Sequence, residues 1–169
     1  RVIAEIETDC KLEHPMMRLI QGDVGSGKTI VSAYAALLAL VAGYQVAVMA
    51  PTELLAEQHN RSFNAWFEGF QTKVVFLTGQ LKGNARKAVL QDMADGSAGI
   101  VVGTHALFQE SVNFHRLGLV IIDEQHRFGV HQRMALREKG QQGKTRPHQL
   151  VMTATPIPRT LAMLQYSDL

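Results

Sequence analysis

The chain has 169 residues, of which 46% are hydrophobic and 19% charged, enough for one domain with its own core and too few for two large ones. A formal charge of +2 is weaker than a nucleic-acid footprint read from charge alone, so composition neither shows nor excludes a DNA partner. The single cysteine, Cys10, excludes an internal disulfide framework and suits a reducing compartment; no apolar run is long enough to predict a membrane span, and no signal peptide or metal-ligand spacing is seen.

The chain begins at Arg1 without a methionine and ends at Leu169 just after an apparent helix. The expectation is one domain, residues 1–169, cut from a longer protein. Val2, Ile3 and Ile6 at roughly helical spacing suggest the tail of a helix over Arg1–Leu12. Met16–Ile20 is a short apolar run that predicts a buried strand. Gly22-Asp23-Val24-Gly25-Ser26-Gly27-Lys28-Thr29 follows and fits G-x-x-x-x-G-K-[ST] at every specified position. Ile30–Ala42 then predicts a helix, stopped by Gly43.

Strand, glycine loop and helix are the context that turns this pattern into a phosphate site. A triphosphate is polyanionic and needs several donors converging on it. The glycines let the backbone curl so that its N–H groups face inward, and the helix opening at Lys28 adds its dipole and unpaired N–H groups. The Lys28 ammonium reaches the β- and γ-phosphates, and the Thr29 hydroxyl is placed to hold Mg²⁺.

The second predicted strand, Gln45–Met49, leads into Pro51-Thr52-Glu53, where Thr52 can cap a helix over Leu54–Phe67. Phe63, Trp66 and Phe67 on that helix read as core anchors, with base stacking as the alternative. A third strand, Lys73–Leu77, precedes a helix that starts near Gly83 and ends at Asp95-Gly96. Lys82, Arg86 and Lys87 form a small basic cluster, read as a solvated face, with a phosphate contact as the minority reading. Gly99–Val102 is the fourth strand; it runs into Gly103-Thr104-His105 and a short helix through Leu107-Phe108.

The fifth strand, Leu119–Ile122, is fully apolar and ends in Asp123-Glu124. Asp123 is placed to hold Mg²⁺, directly or through water. Glu124 is placed to act as general base on an attacking water. Alone the pair reads as an acidic turn; behind a phosphate loop it reads as the second half of a nucleotide site. A helix over Val130–Glu138 and an exposed loop over Lys139–Arg146 come next. The sixth strand, His148–Met152, runs into Thr153-Ala154-Thr155-Pro156-Ile157-Pro158. Strands alternating with helices predict an α/β fold: a mostly parallel sheet with helices on both faces. In such a sheet every one of these polar strand ends falls on the same carboxyl edge.

That order of motifs resembles the first motor domain of the superfamily 2 helicases and translocases, and Gln125-His126 puts it in the DExH group. Gly22–Thr29, Ala50–His59, Asp123–Val130 and Met152–Thr160 are similar to the corresponding stretches of the bacterial branch-migration helicases. The transcription–repair coupling translocases share Thr153–Thr160, but usually have a second acid where Gln125 stands. The resemblance implies a RecA-like P-loop NTPase fold, with the sixth strand lying between the phosphate-loop strand and the Asp123 strand. It implies that Thr153 and Thr155 relay nucleotide state, and that Gln125 and His126 communicate with a second motor domain; a structurally satisfied His126 is the alternative. It implies that Pro51, Thr52, Glu53, Gly103, Thr104 and His105 face a DNA backbone. It further implies ATP and Mg²⁺ as cofactors, branched double-stranded DNA as substrate, a second RecA-like domain and a wedge domain in the same polypeptide, no membrane, and a bacterial cytoplasmic location. A nucleotide-gated DNA-binding module without turnover, and a small-substrate P-loop kinase, are the readings from other functional classes.

Overall fold

The computed structural model describes residues 3–4, 17–21, 28–109, 111–123 and 147–153. Six strands form one sheet: β1 (Met17–Gln21), β2 (Gln45–Met49), β3 (Lys73–Leu77), β4 (Ala98–Gly103), β5 (Leu117–Asp123) and β6 (His148–Thr153). The order across the sheet is β1-β6-β5-β2-β4-β3, and every neighbouring pair is parallel. Among the described residues three helices run between strands: α1 (Lys28–Val41), α2 (Glu53–Trp66) and α3 (Gly83–Asp95). A single 3-10 turn, His105–Phe108, stands where a short helix was expected.

Alternation along the strands feeds two cores. Leu119 and Ile121 of β5 join Val46, Val48, Ile100 and Val102 beneath α1 and α2. Val120 and Ile122 join Ala47, Met49, Val101 and Met93 on the α3 face. All five residues of β2 are buried, which explains its apolar sequence: it is central and covered on both sides. Each large side chain buried in this way contributes about 1.5–3 kcal/mol.

Helix limits follow local chemistry. Thr52 is extended, at φ −129° and ψ 156°, and its hydroxyl accepts a hydrogen bond from the Leu55 N–H at 3.3 Å, so it caps α2 as expected. Gly43 and Gly96, at φ +87° and +85°, end α1 and α3 in the left-handed region. The fifth strand is longer than its apolar run. It starts at Leu117 and includes Gly118, which Tyr44 approaches so closely that a Cβ there would sit 2.5 Å from the tyrosine Cβ. At the amino-terminal edge, Gln45 Nε2 donates to the carbonyls of Met93 and Ala98, and its Oε1 accepts from the Arg116 N–H. One buried side chain thus ties β2, α3, β4 and the entry to β5 together. Among the described residues no helix is long and apolar enough to cross a membrane.

Candidate active site

Because all six strands are parallel, their carboxyl ends share one edge. The strand order divides that edge in two. One half carries the ends of β1, β6 and β5. Gln21 is in register with Thr153, and Met152 with Asp123, so these three ends are level. Two inter-strand spacings, roughly 10 Å in all, separate β1 from β5. The expectation that β6 lies between the phosphate-loop strand and the Asp123 strand therefore holds.

The helix that follows the glycine loop begins at Lys28. Thr29 lies in its first turn and is half-buried; its carbonyl accepts a hydrogen bond from Ser32 Oγ at 2.6 Å. Asp123 is the last residue of β5 and, by alternation from Leu119 and Ile121, belongs to the α1 and α2 face. On that face it meets His59 of α2: Nε2 and Oδ2 are 2.7 Å apart, with the two side chains 10% and 13% exposed. A carboxylate can only accept, so the ring nitrogen is the donor. No described residue bonds the other carboxylate oxygen.

This donor set fits Mg²⁺. Among the described residues no three His, Cys, Asp or Glu side chains converge as a metal cage. Mg²⁺ does not need one: it is commonly held by one or two carboxylates, waters and substrate phosphates. A single carboxylate at the end of β5, with one oxygen that no described residue bonds and two strand spacings from the end of β1, matches that habit.

The other half of the edge carries the ends of β2, β4 and β3. Met49 is in register with Gly103, which is in turn in register with Leu77, and the Ala50 N–H donates to the Gly103 carbonyl at 3.0 Å. Thr52, Glu53 and His105 are exposed and Pro51 is half-buried, whereas Gly103 and Thr104 are buried. The last two are buried where β4 ends and the turn that follows it begins. Glu53 sits in the first turn of α2, where its charge complements the helix dipole.

Phe63 and Phe67 are buried and anchor the α2 core as expected, whereas Trp66 is exposed and only packs edge-on against Phe63 with ring centroids 5.6 Å apart, so the core reading holds for the two phenylalanines and not for Trp66. Arg86 donates to Gln109 Oε1 at 2.6 Å, while Lys82 and Lys87 are exposed, which agrees with a solvated basic face. Lys28 and Thr153 are located by their backbone only. Gly22, Asp23, Val24, Gly25, Ser26, Gly27, Glu124, Gln125, His126 and Thr155 lie outside the described residues, as do the expected helices over Arg1–Leu12 (apart from Ile3 and Ala4, which are helical) and Val130–Glu138.

His59 is the residue that reading the sequence passed over. Its signal was present: it falls on the buried stripe Ala56, His59, Phe63, where helical spacing asks for an apolar side chain. An ionisable group in such a place needs a partner, and Asp123 is that partner.

Comparison with known proteins agrees with this architecture. The family model of the DEAD/DEAH box helicases matches residues 3–164. The ATP-dependent DNA helicase RecG of Escherichia coli (strain K12) is 64% identical over 169 residues, which is all of this chain and 24% of that protein. RecG of Haemophilus influenzae is 62% identical over the same span, again 24% of its length. A solved structure of RecG bound to a three-way DNA junction superposes with a TM-score of 0.84 at 45% identity, over 99% of this chain and 22% of that one. The Hef helicase domain of Pyrococcus furiosus superposes at 0.67 over 98% of this chain and 35% of its own; at 22% identity it speaks to the fold alone. The chain thus spans 24% of the length of the curated relatives it matches. On the family match and the shared sheet with its level carboxyl edge, this chain belongs to the DEAD/DEAH box helicase family.

Proposed function

We propose that this chain is the ATP-binding first motor domain of a longer bacterial, cytoplasmic helicase that remodels branched double-stranded DNA, such as stalled forks and Holliday junctions, in recombination and repair. The observation that carries this reading is 64% identity along the whole chain to RecG, with no stretch left over. The alignment of β1, β6 and β5 at one level supports it independently.

In this reading the backbone from Gly22 to Gly27 cradles the phosphates and Lys28 neutralises them. Thr29 and Asp123 hold Mg²⁺, which when bound supplies further charge neutralisation at the β- and γ-phosphates. Glu124, one residue past the end of β5, orients and deprotonates the attacking water. Thr153, Thr155, Gln125 and His126 carry nucleotide state towards a second RecA-like domain. Pro51, Thr52, Glu53 and His105 lie along the DNA backbone, with Gly103 and Thr104 supporting the turn. Contacts of that kind grip phosphates without reading sequence. A wedge domain elsewhere in the polypeptide selects the branch.

The test uses the full-length protein, with ATP hydrolysis measured with and without a synthetic three-way junction. Lys28→Ala is expected to abolish nucleotide-dependent unwinding and hydrolysis; normal hydrolysis in that variant would sink the assignment. The chain by itself is expected to turn ATP over slowly, and the remaining domains to raise the rate on the order of 10³–10⁵-fold if they supply an arginine finger. Brisk DNA-independent turnover by the chain alone would favour a self-contained P-loop enzyme.

A further inference from the structure

We propose that His59 is a positioning residue for Asp123, and that through it helix α2 couples the DNA-facing half of the carboxyl edge to the metal-holding half; this rests on the function proposed above.

The strand order is the first reason. β2 and β5 are neighbours, and the boundary between the two halves runs between them. The helix that follows β2 starts in the second half, at Thr52 and Glu53. Seven residues on, about two turns along the same rigid element, His59 reaches across the boundary to the end of β5. Gln45 links β2 to the entry of β5 at the opposite edge, and the His59–Asp123 bond links the two halves at this one.

The second reason is what the bond does to the carboxylate. His59 occupies Oδ2, and no described residue bonds Oδ1. A carboxylate on a short side chain at a strand end can rotate about its last bond; a buried donor at 2.7 Å stops that rotation and presents one oxygen. Groups behind a metal ligand commonly act in this way, and removing one typically weakens metal binding about 10–100-fold.

The third reason is that packing alone does not call for a histidine here. The α2 stripe is otherwise Ala56 and Phe63, both fully buried. A leucine at position 59 would satisfy the stripe, and it would not need a charged partner. A shift of α2 along or across the sheet, driven by a phosphate at its amino terminus, would move the His59 donor and hence the Asp123 oxygen. The reverse follows by linkage: nucleotide and metal bound at Asp123 would bias the position of α2 and so the DNA affinity.

The experiment compares His59→Leu and His59→Gln in the full-length protein. Leucine keeps the buried stripe and removes the donor; glutamine keeps an N–H of similar reach. Three quantities are read without turnover. They are the melting temperature, the free Mg²⁺ needed for half-maximal binding of a fluorescent ADP, and the factor by which a three-way junction changes that nucleotide affinity. Because it leaves the largely buried Asp123 carboxylate without its donor, His59→Leu is expected to melt below the wild type. It is also expected to need about tenfold more Mg²⁺ and to bring the coupling factor close to one. His59→Gln is expected to retain most of both. Against an Asp123→Asn background, His59→Leu is expected to add almost nothing, because it acts through that carboxylate. Wild-type Mg²⁺ dependence and coupling in His59→Leu would overturn the proposal, as would a glutamine variant that binds Mg²⁺ as poorly as the leucine one. If His59→Leu does not fold, the glutamine variant decides by the same criterion. A wild-type protein that binds no Mg²⁺-nucleotide, or whose nucleotide affinity ignores DNA, would instead defeat the function proposed above, and this inference with it.

Discussion

Gly103 lies directly against the Leu77 carbonyl: a Cβ on Gly103 would stand 2.4 Å from that oxygen and 3.1 Å from Leu107 Cγ. The neighbour is backbone, held by the β3–β4 ladder in which Leu77 and Gly103 are paired, so it cannot turn aside as a flexible side chain would. Gly103→Ala is therefore expected to lower stability by about 1–3 kcal/mol, the usual range for overpacking. The check is a urea titration, with the midpoint falling and the slope unchanged. An unchanged midpoint would mean that the turn at Thr104 gives way at no cost.

Gln45 makes a different kind of prediction, because it acts at the opposite edge. Replacing it by leucine leaves the carbonyls of Met93 and Ala98 and the N–H of Arg116 without their side-chain partner. The Met93 carbonyl keeps the His115 N–H, and unpaired buried groups cost about 1–3 kcal/mol each, so Gln45→Leu is expected to lose on the order of 2 kcal/mol or more. Nucleotide affinity, measured on the folded fraction, is expected to stay as in the wild type. A joint loss of stability and affinity would show that the two edges are mechanically connected.

The Asp95 carboxyl is held below the ordinary aspartate range, chiefly by the Ser97 hydroxyl, then by the Ser97 N–H, which donate to Oδ1 at 2.5 Å and 2.8 Å. A carboxyl depressed on folding adds stability above its unfolded pKa and loses it as pH falls through its folded value. The contribution is thus complete and flat at neutral pH, and fades only in acid. Asp95 is exposed, so the effect on global stability is small and is read best at the carboxyl itself. In an NMR titration, Ser97→Ala is expected to move the Asp95 midpoint upward while the other aspartates keep theirs. A midpoint unmoved by that substitution would remove the hydroxyl as the cause.

Much of the fold was legible residue by residue. β2 and β3 occupy the expected runs, Gln45–Met49 and Lys73–Leu77, because each is a short apolar stretch bounded by a breaker. Thr52 caps α2, and Gly43 and Gly96 end α1 and α3. In each case the determining interaction lies within a few residues, so the sequence displays it. The expected strand at Leu119–Ile122 missed Leu117 and Gly118 at its start for the converse reason. Gly118 reads locally as a turn residue, and only the approach of Tyr44 explains why a strand needs a glycine there.

The site divides along the same line. The phosphate-loop pattern, the acids after the fifth strand and the polar residues after the second and fourth were visible as motifs, since spacing along one chain suffices to recognise them. The residues alone also implied a parallel sheet with one ligand-bearing edge. What they left open was the order of the strands: every crossover order satisfies the same apolar runs and the same helix stops, and the position of β6 came from resemblance to a family. The tertiary structure decided that order, and with it which strand ends stand side by side. It also decided that His59 meets Asp123, 64 residues away in the chain. A helix-to-strand hydrogen bond of that kind depends on which strands are neighbours and which face each helix covers, and neither is encoded in any local stretch.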